Sequence, residues 1–415
     1  MKPCVNFFLE VEVPDESNSF FVLNRDKYGG PMLLAPDPLP VSPPENAFLY
    51  SESLLDGAQL IEGNGIAEAG YVWENFTSTA TNIRLDRGID VVQSVVGRPV
   101  AATLTATVID PNYDALQSAA VGLGKRVRIR AGTELAFMGV LTKLRATYDA
   151  AQNPIVELEA TDAVARLNSI QMESRPQESY EDRVIAACLA ADIGYEVEMG
   201  GSTLNQTEEG TTGLLTITAA QDSEGSLVWV DRFNQLHALI RGNDIPEEPE
   251  YTFANTHDVE NHYCLTAYAD SIDTTQVINT LTFRNTSYVE DPNNLGEYIY
   301  KNTEYNYSST NSARYYGVGN ALLSTLLDAT ELPGYAEYIF ERFDQPSRKV
   351  VNIAYYTDDW ESFDVPEIAF IDIADPIRVV LKDDSGNEFV NAVQRVAGIS
   401  HVITPENWNT QLKLL

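Results

Sequence analysis

Cysteine and histidine are nearly missing from this chain: three and four residues among 415. Cys4, Cys188 and Cys264 lie far apart with no paired spacing, which indicates neither a disulfide framework nor a zinc knuckle and leaves three ordinary buried thiols as the expectation. Long apolar runs are missing too. The opening, Met1 to Glu10, carries charge within its apolar stretch and lacks a small-residue cleavage site. No later run approaches membrane-spanning length. The chain is therefore expected to be made in, and stay in, an aqueous compartment, without stable membrane insertion. On that expectation the sequon Asn75-Phe76-Thr77 carries no glycan. Positive charge is scarce: 27 basic residues face 61 acidic ones, for a net charge of -34 and a pI near 4.3. Adhesion to a nucleic-acid backbone is unfavourable at that charge. Calcium-loop spacing, a phosphate-binding glycine loop, a nucleophile elbow and a zinc-protease motif are all missing. Neither a catalytic group nor a cofactor or metal ligand is expected.

The charge that is present is unevenly spread. Between Thr81 and Ile170, ten basic residues outnumber nine acidic ones, so this block sits near +1 and the remainder carries -35. Arg126, Arg128 and Arg130 alternate with Val127 and Ile129, which puts three guanidinium groups on one face of a strand as a candidate interface for an acidic neighbour. A solvated strand face is the plainer alternative.

Period-two alternation recurs along the chain. Val5 to Val13 reads as a strand with one buried side, its Asn6, Glu10 and Glu12 facing solvent. From about residue 27 to 70 the pattern dissolves into prolines, which remove ladder donors, and an extended arm or insertion is expected. Strands are expected around Thr103–Val108, Arg126–Arg130 and Ile155–Ala160, with a short helix over Asp162–Leu167. Ser179 caps a second helix whose apolar stripe is Val184, Ile185, Cys188 and Leu189 and which Gly194 ends. A polar loop to Gly213 follows, then a hairpin through Ser226–Ile240. Val277–Arg284 is a strand, Tyr298–Tyr316 is rich in tyrosine and asparagine, and Tyr335–Phe343 is a helix before a last set of strands.

Two segments echo each other in order: Val127-Arg128-Ile129-Arg130 beside Ile377-Arg378-Val379-Val380, Gly139-Val140 beside Gly398-Ile399, and Val156–Ala160 beside Gln411–Leu414. The echo points to a β-rich α+β fold with two related small β-barrel domains and a helical, mixed α+β portion between them. The expected divisions are 1–170, a first barrel with the proline-rich arm; 171–250, a helix-plus-hairpin middle; 251–330, the start of the second barrel with a Tyr/Asn-rich insertion; and 331–415, a helix and the rest of that barrel. Three copies of such a chain would present six quasi-equivalent units around an axis.

The order of several short segments resembles the tail-hub, or minor tail, proteins of long-tailed, siphovirus-type phages, with their baseplate-hub fold. The segments are Trp73-Glu74-Asn75-Phe76-Thr77 leading into Ile83–Gly88, Phe137–Leu141, Leu158–Asp162, Val228–Arg232, Val277–Phe283, Ser312–Gly317 and, most of all, Val396 to Trp408 with closing Leu412 and Leu414. The resemblance covers most of the chain from about Trp73 onward, and its specificity rests on the order of the segments. It implies a structural, non-enzymatic virion protein assembled in the host cytoplasm: a homotrimeric hub at the tail tip that forms or closes the genome exit channel. Implied partners are the distal tail protein ring above, tip or fibre proteins below, a tape-measure protein, and DNA only in transit. The proline-rich arm departs from the compact opening such proteins would have.

Other sites compete with this reading. His257-Asp258 and His262 suggest a metal or acid/base site, but their spacing is not that of one helix face, and they read as ordinary loop residues. Acidic pairs such as Glu208-Glu209, Asp358-Asp359 and Asp383-Asp384 would suit a polysaccharide hydrolase. With 61 acids, proximity somewhere is guaranteed, and Lys382–Asn387 is what a hairpin turn should contain. Tyr315 and Tyr316 are read as a protein interface, with glycan binding as the alternative. Trp408 is expected to cap a barrel.

Overall fold

The computed structural model describes residues 7–14, 71–76, 80–90, 97–109, 123–132, 134–148, 154–207, 210–242, 248–260, 262–272, 276–291, 293–294, 298–357, 367–404 and 407–415. The proline-rich stretch, Cys4, Glu208-Glu209 and Asp358-Asp359 lie outside them.

In the first half the strands are β1 (Phe7–Pro14), β2 (Tyr71–Asn75), β3 (Ala80–Asp90), β4 (Arg98–Ile109), β5 (Arg126–Ala131), β6 (Glu134–Tyr148) and β7 (Pro154–Thr161). The middle holds α1 (Ala163–Ser169), β8 (Glu178–Ser179), α2 (Tyr180–Ala191), β9 (Tyr195–Val197), β10 (Thr203–Leu204), α3 (Gly213–Glu224), β11 (Val228–Val230) and β12 (Leu236–Ala238). Then come β13 (Tyr251–Ala254), β14 (Tyr263–Cys264), β15 (Ala267–Ile272), β16 (Thr280–Glu290), β17 (Tyr298–Ser308), α4 (Thr310–Tyr316), β18 (Asn320–Thr325) and α5 (Leu332–Phe343). The last strands are β19 (Arg348–Tyr356), β20 (Pro376–Lys382), β21 (Glu388–Ile403) and β22 (Trp408–Leu414).

Alternation builds the strands as expected from a period of two: on β5, Val127 and Ile129 are fully buried while the arginines between them are not. Fourteen strands form one continuous sheet in which a single succession of pairings occurs twice. In the first half it runs β3-β4-β7-β6-β5-β1, and in the second β15-β19-β22-β21-β20-β13. Every one of these pairs is antiparallel except β13–β20. In each half one long strand changes partner midway. β6 passes from β5 to β7 and β21 from β20 to β22, with a β-bulge at the crossing, between Leu141 and Lys143 in one and Val396 and Gly398 in the other. Those bulges make Lys143 the counterpart of Gly398. The sequence echo had set Gly139 there, four residues too early.

Each half has its own core, one around Leu9, Leu104, Ile129, Phe137 and Trp408, the other around Phe253, Ile353, Tyr355, Ile377 and Ile399. A third core lies between helices α1, α2, α3 and α5 and the three-stranded sheet β17-β16-β18, which contributes Leu281, Phe283 and Leu323. Residues 251–330 are thus divided: β13–β15 stand in the second half of the large sheet, β16–β18 on the middle core.

Two helix readings need correction. The buried face of α2 is Tyr180, Val184, Ala187, Cys188 and Ala191, at i, i+4, i+7, i+8 and i+11, whereas Leu189 is exposed. Ser179 caps its start, but Asp192, at φ 53°, ends it two residues before Gly194. α3 lies between the polar loop expected to end at Gly213 and the hairpin expected from Ser226, in a stretch for which no helix was expected. Thr212 accepts from the Leu215 N–H at its start, and Gly225, at φ 72°, closes it.

Candidate functional site

The three arginines of β5 are committed within the chain. β1 pairs antiparallel with β5, which sets Glu10 opposite Arg128. Glu10 accepts from Arg128 Nε at 2.7 Å and from Arg130 Nε and Nη2 at 2.8 Å, and Glu12 accepts from Arg126 Nε at 3.0 Å and Nη2 at 2.6 Å. The Arg128 guanidinium lies 3.9 Å over the Trp73 ring and that of Arg130 4.9 Å over Phe8. Burial alone would raise the Glu10 carboxyl, but the hydrogen bonds and charges of Arg130 and Arg128 outweigh it and hold the group below its ordinary range. Glu10 and Glu12 are both buried, so they do not occupy the solvent side expected for them. The surviving cationic surface is one net charge spread over three half-shielded guanidinium groups.

Tyr315 and Tyr316 lie elsewhere, at the end of α4, and do not meet the arginines. Tyr315 is 78% exposed, and Tyr316 and Val318 extend the same apolar tip. A buried bracket holds that tip: Asn279 Nδ2 donates to the Gly317 carbonyl at 2.7 Å and to Ser312 Oγ at 3.2 Å, while its Oδ1 accepts from the Gly319 N–H at 2.9 Å. Tyr305 and Tyr307 face inward from β17 and pack on the middle core.

The two halves of the large sheet join at β3 and β21. Gly88 opposes Gly398, Asp86 opposes Ser400 and Ile83 opposes Ile403, and Ser400 Oγ donates to Asp86 Oδ1 at 2.6 Å. The backbones are so close there that a Cβ on Gly88 would stand 2.7 Å from the Ala397 carbonyl oxygen. The corresponding edges at the other ends of the two halves are open among the described residues. Val140 pairs with both Arg126 and Thr161, so β5 and β7 hold opposite edges of β6. Beyond the bulge, the β5-side edge from Lys143 to Thr147 meets no strand among the described residues. Among the described residues β15 pairs only with β19. Its Tyr268 and Ile272 are exposed, Ile272 by 65%, whereas Ile83 and Leu85 of its counterpart β3 are buried. Sequence reading missed both edges, because Ala267–Ile272 alternates too weakly to announce a strand.

The remaining polar groups divide between structural and unassigned. His401 is buried beside Trp408, whose indole Nε1 donates to His401 Nδ1 at 3.1 Å. His237 stacks on Trp229 and pairs with Asp231 at 3.0 Å; burial would lower its imidazole, but that partner raises it. Asp375 lies beside Asp372 and is pushed up by burial to about 6, so the two neighbouring carboxyl groups invite an acid/base reading. Asp372, however, is held by Arg87 at 2.7 Å and by the Arg232 N–H at 2.8 Å. Asp383 accepts from the Ser385 and Asn387 N–H groups at 2.9 Å, as a turn residue. Cys188 is buried and its thiol pushed up to about 12 by burial, which suits a packing role, but Cys264 is exposed, contrary to the three buried thiols expected.

No protein-family model matches the chain, and no curated protein matches it by sequence. Solved structures do. The 43 kDa tail protein of prophage MuSo2 from Shewanella oneidensis superposes with a TM-score of 0.54 at 12% identity, over 83% of this chain and 95% of that one. The tail protein from Neisseria meningitidis MC58 superposes with a TM-score of 0.55 at 12% identity, over 83% and 93%. At that identity the likeness is one of fold: this β-rich chain with its helical middle has the fold of those tail proteins.

Proposed function

We propose that the chain is a structural subunit of a phage tail, a homotrimeric hub at the tail tip that joins the tail tube and its distal ring to tip or fibre proteins and surrounds the genome exit channel. One observation carries the reading: among the described residues, the junction made inside the chain by β3 and β21 has an unfilled counterpart in β15 and the far end of β6. An open, partly apolar strand edge is a template for another chain. Pairing β15 of one copy with β6 of the next repeats the internal junction head to tail, and three such pairings close a ring of six similar units. The matched ladders set the register, with Ile272 opposite Lys143 and Asp270 opposite Arg145, in the places that Gly88, Gly398, Asp86 and Ser400 hold inside the chain. Asp270 and Arg145 carry opposite charges, whereas Asp86 and Ser400 use a hydrogen bond. The closure of each half into a barrel belongs to this proposal. So does the role of Tyr315, Tyr316 and the arginine face as contacts for neighbouring tail proteins. The net charge of -34 suits a lumen through which DNA passes without being held.

The test is the mass of the purified chain in solution by light scattering, alone and with the distal ring protein of the tail. Three copies per particle are expected, and Arg145→Glu, which sets like charges opposite Asp270, is expected to yield single chains. A Lys143→Cys, Ile272→Cys double variant is expected to form covalent trimers that neither single variant forms. A wild-type chain that stays single and ignores the ring overturns the hub and turns attention to cell-wall polysaccharide hydrolysis and glycan binding. Loss of sugar binding in a Tyr315→Ala, Tyr316→Ala variant would mark the latter.

A further inference from the structure

Two of the four histidines and one of the three cysteines fall within eight residues, from His257 to Cys264. The turn between β13 and β14 folds them together. Cys264 Sγ lies 3.4 Å from His257 Nδ1 and 3.6 Å from His262 Nε2, and the three ligand atoms all stand within 4.8 Å of one another. Zinc bonds of about 2.3 Å to sulfur and about 2.05 Å to nitrogen, opened at a tetrahedral angle, put sulfur and nitrogen about 3.6 Å apart. The two separations in the fold, 3.4 and 3.6 Å, lie within 0.2 Å of that value. The outer shell fits as well: His262 Nδ1 donates to the Val259 carbonyl, which leaves Nε2 with its lone pair facing the cysteine. The two rings meet edge to face, 6.1 Å between centroids, and each turns one nitrogen to Cys264 Sγ.

From this geometry we infer that His257, His262 and Cys264 form a zinc site with three protein ligands and one position open to water. The donor set, two imidazoles and a thiolate, is that of a borderline-soft first-row ion, not of calcium or magnesium, which take oxygen ligands. Such an ion would pin the turn after β13 to Cys264 on β14, the last strand at that end of the large sheet among the described residues, with two residues between it and the start of β15. The thiolate would then be covered by metal instead of standing exposed to oxidants.

The experiment uses the full chain, freed of metal by chelation and titrated with cobalt(II), whose thiolate complexes absorb strongly in the near ultraviolet. One cobalt per chain is expected, with a sulfur-to-cobalt charge-transfer band that zinc abolishes by displacement. Cys264→Ser is expected to lose the band, while Cys4→Ser and Cys188→Ser keep it. His262→Gln is expected to weaken binding by more than about 100-fold, beyond the loss typical of an outer-shell partner. All three ligands lie at the surface or half-buried, so far-ultraviolet circular dichroism is expected to be the same for the wild-type chain and each ligand variant. Absence of the band in the wild-type chain, or its persistence in Cys264→Ser, overturns the site.

Discussion

His401 shows how one residue links packing to pH. An indole N–H only donates, so the His401 Nδ1 that accepts from Trp408 carries no proton, and the ring is neutral. Burial, reinforced by the charge of Arg87, pushes its imidazole down to about 3 from an ordinary 6.5. Between those values the unfolded chain binds a proton that the folded chain refuses, so stability is full above about pH 6.5 and falls as pH drops towards 3. Asp162 and Asp375 act in the opposite sense. Burial raises both to about 6 from 3.8, and from pH 6 downward the folded chain takes up their protons first. In urea unfolding, the wild-type midpoint is therefore expected to lose ground steadily to that of His401→Gln as pH is lowered from 6.5 towards 4. In His401→Gln, which keeps an acceptor but not the titration, the midpoint is expected to stay level or rise. Parallel declines in both proteins would contradict this assignment. Residue types alone could not separate this histidine from the others: His401 and His237 both lie on alternating strands, and only the groups across the sheet make one a neutral core residue and the other a partner of Asp231.

Among the elements, the strands were the most legible, because a half-buried ladder writes its period directly into residues such as Val127, Ile129, Leu104 and Ala106. The helices were less so. Gly213–Glu224 begins Leu-Leu-Thr-Ile-Thr, with β-branched residues and no charge before Asp222, and its only helical signals are the caps Thr212 and Gly225. The candidate interface was legible in part. Arg126, Arg128 and Arg130 do share a face, but their acids come from a strand more than a hundred positions earlier, which no local pattern could reveal. α4 depends on such a distant contact: Ser309 makes no side-chain cap, and the buried Asn279 supplies the hydrogen bonds that hold the helix end. Asn279→Ala would leave the Gly317 carbonyl and Gly319 N–H without that partner, at a cost of about 1–3 kcal/mol. A lowered unfolding midpoint is expected, together with faster proteolysis around Tyr315 and Tyr316. An unchanged cleavage rate there would mean that α4 is held by other means.

At the scale of the whole molecule, charge opposes the proposed ring. Three chains of net charge -34 repel one another, and the repulsion is longest in range when salt is low, with a screening length of about 30 Å at 0.01 M against about 8 Å at 0.15 M. The proposed trimer is therefore expected to gain in population as salt rises through that range, as measured by sedimentation velocity. Dissociation on adding salt would instead show that ion pairs such as Asp270 with Arg145 dominate the contact.

The β3–β21 junction also sets an order of events during synthesis. Ser400 and Asp86 are 314 positions apart, so the strand that covers β3 is among the last to leave the ribosome. Until then the first half carries an uncovered edge of the kind that β15 and β6 present at the rim, and it can capture the wrong partner. If the proposed ring forms, a truncated product stopped anywhere before Gly398 would retain that exposed edge and act as a chain terminator, able to join the growing ring without letting it close.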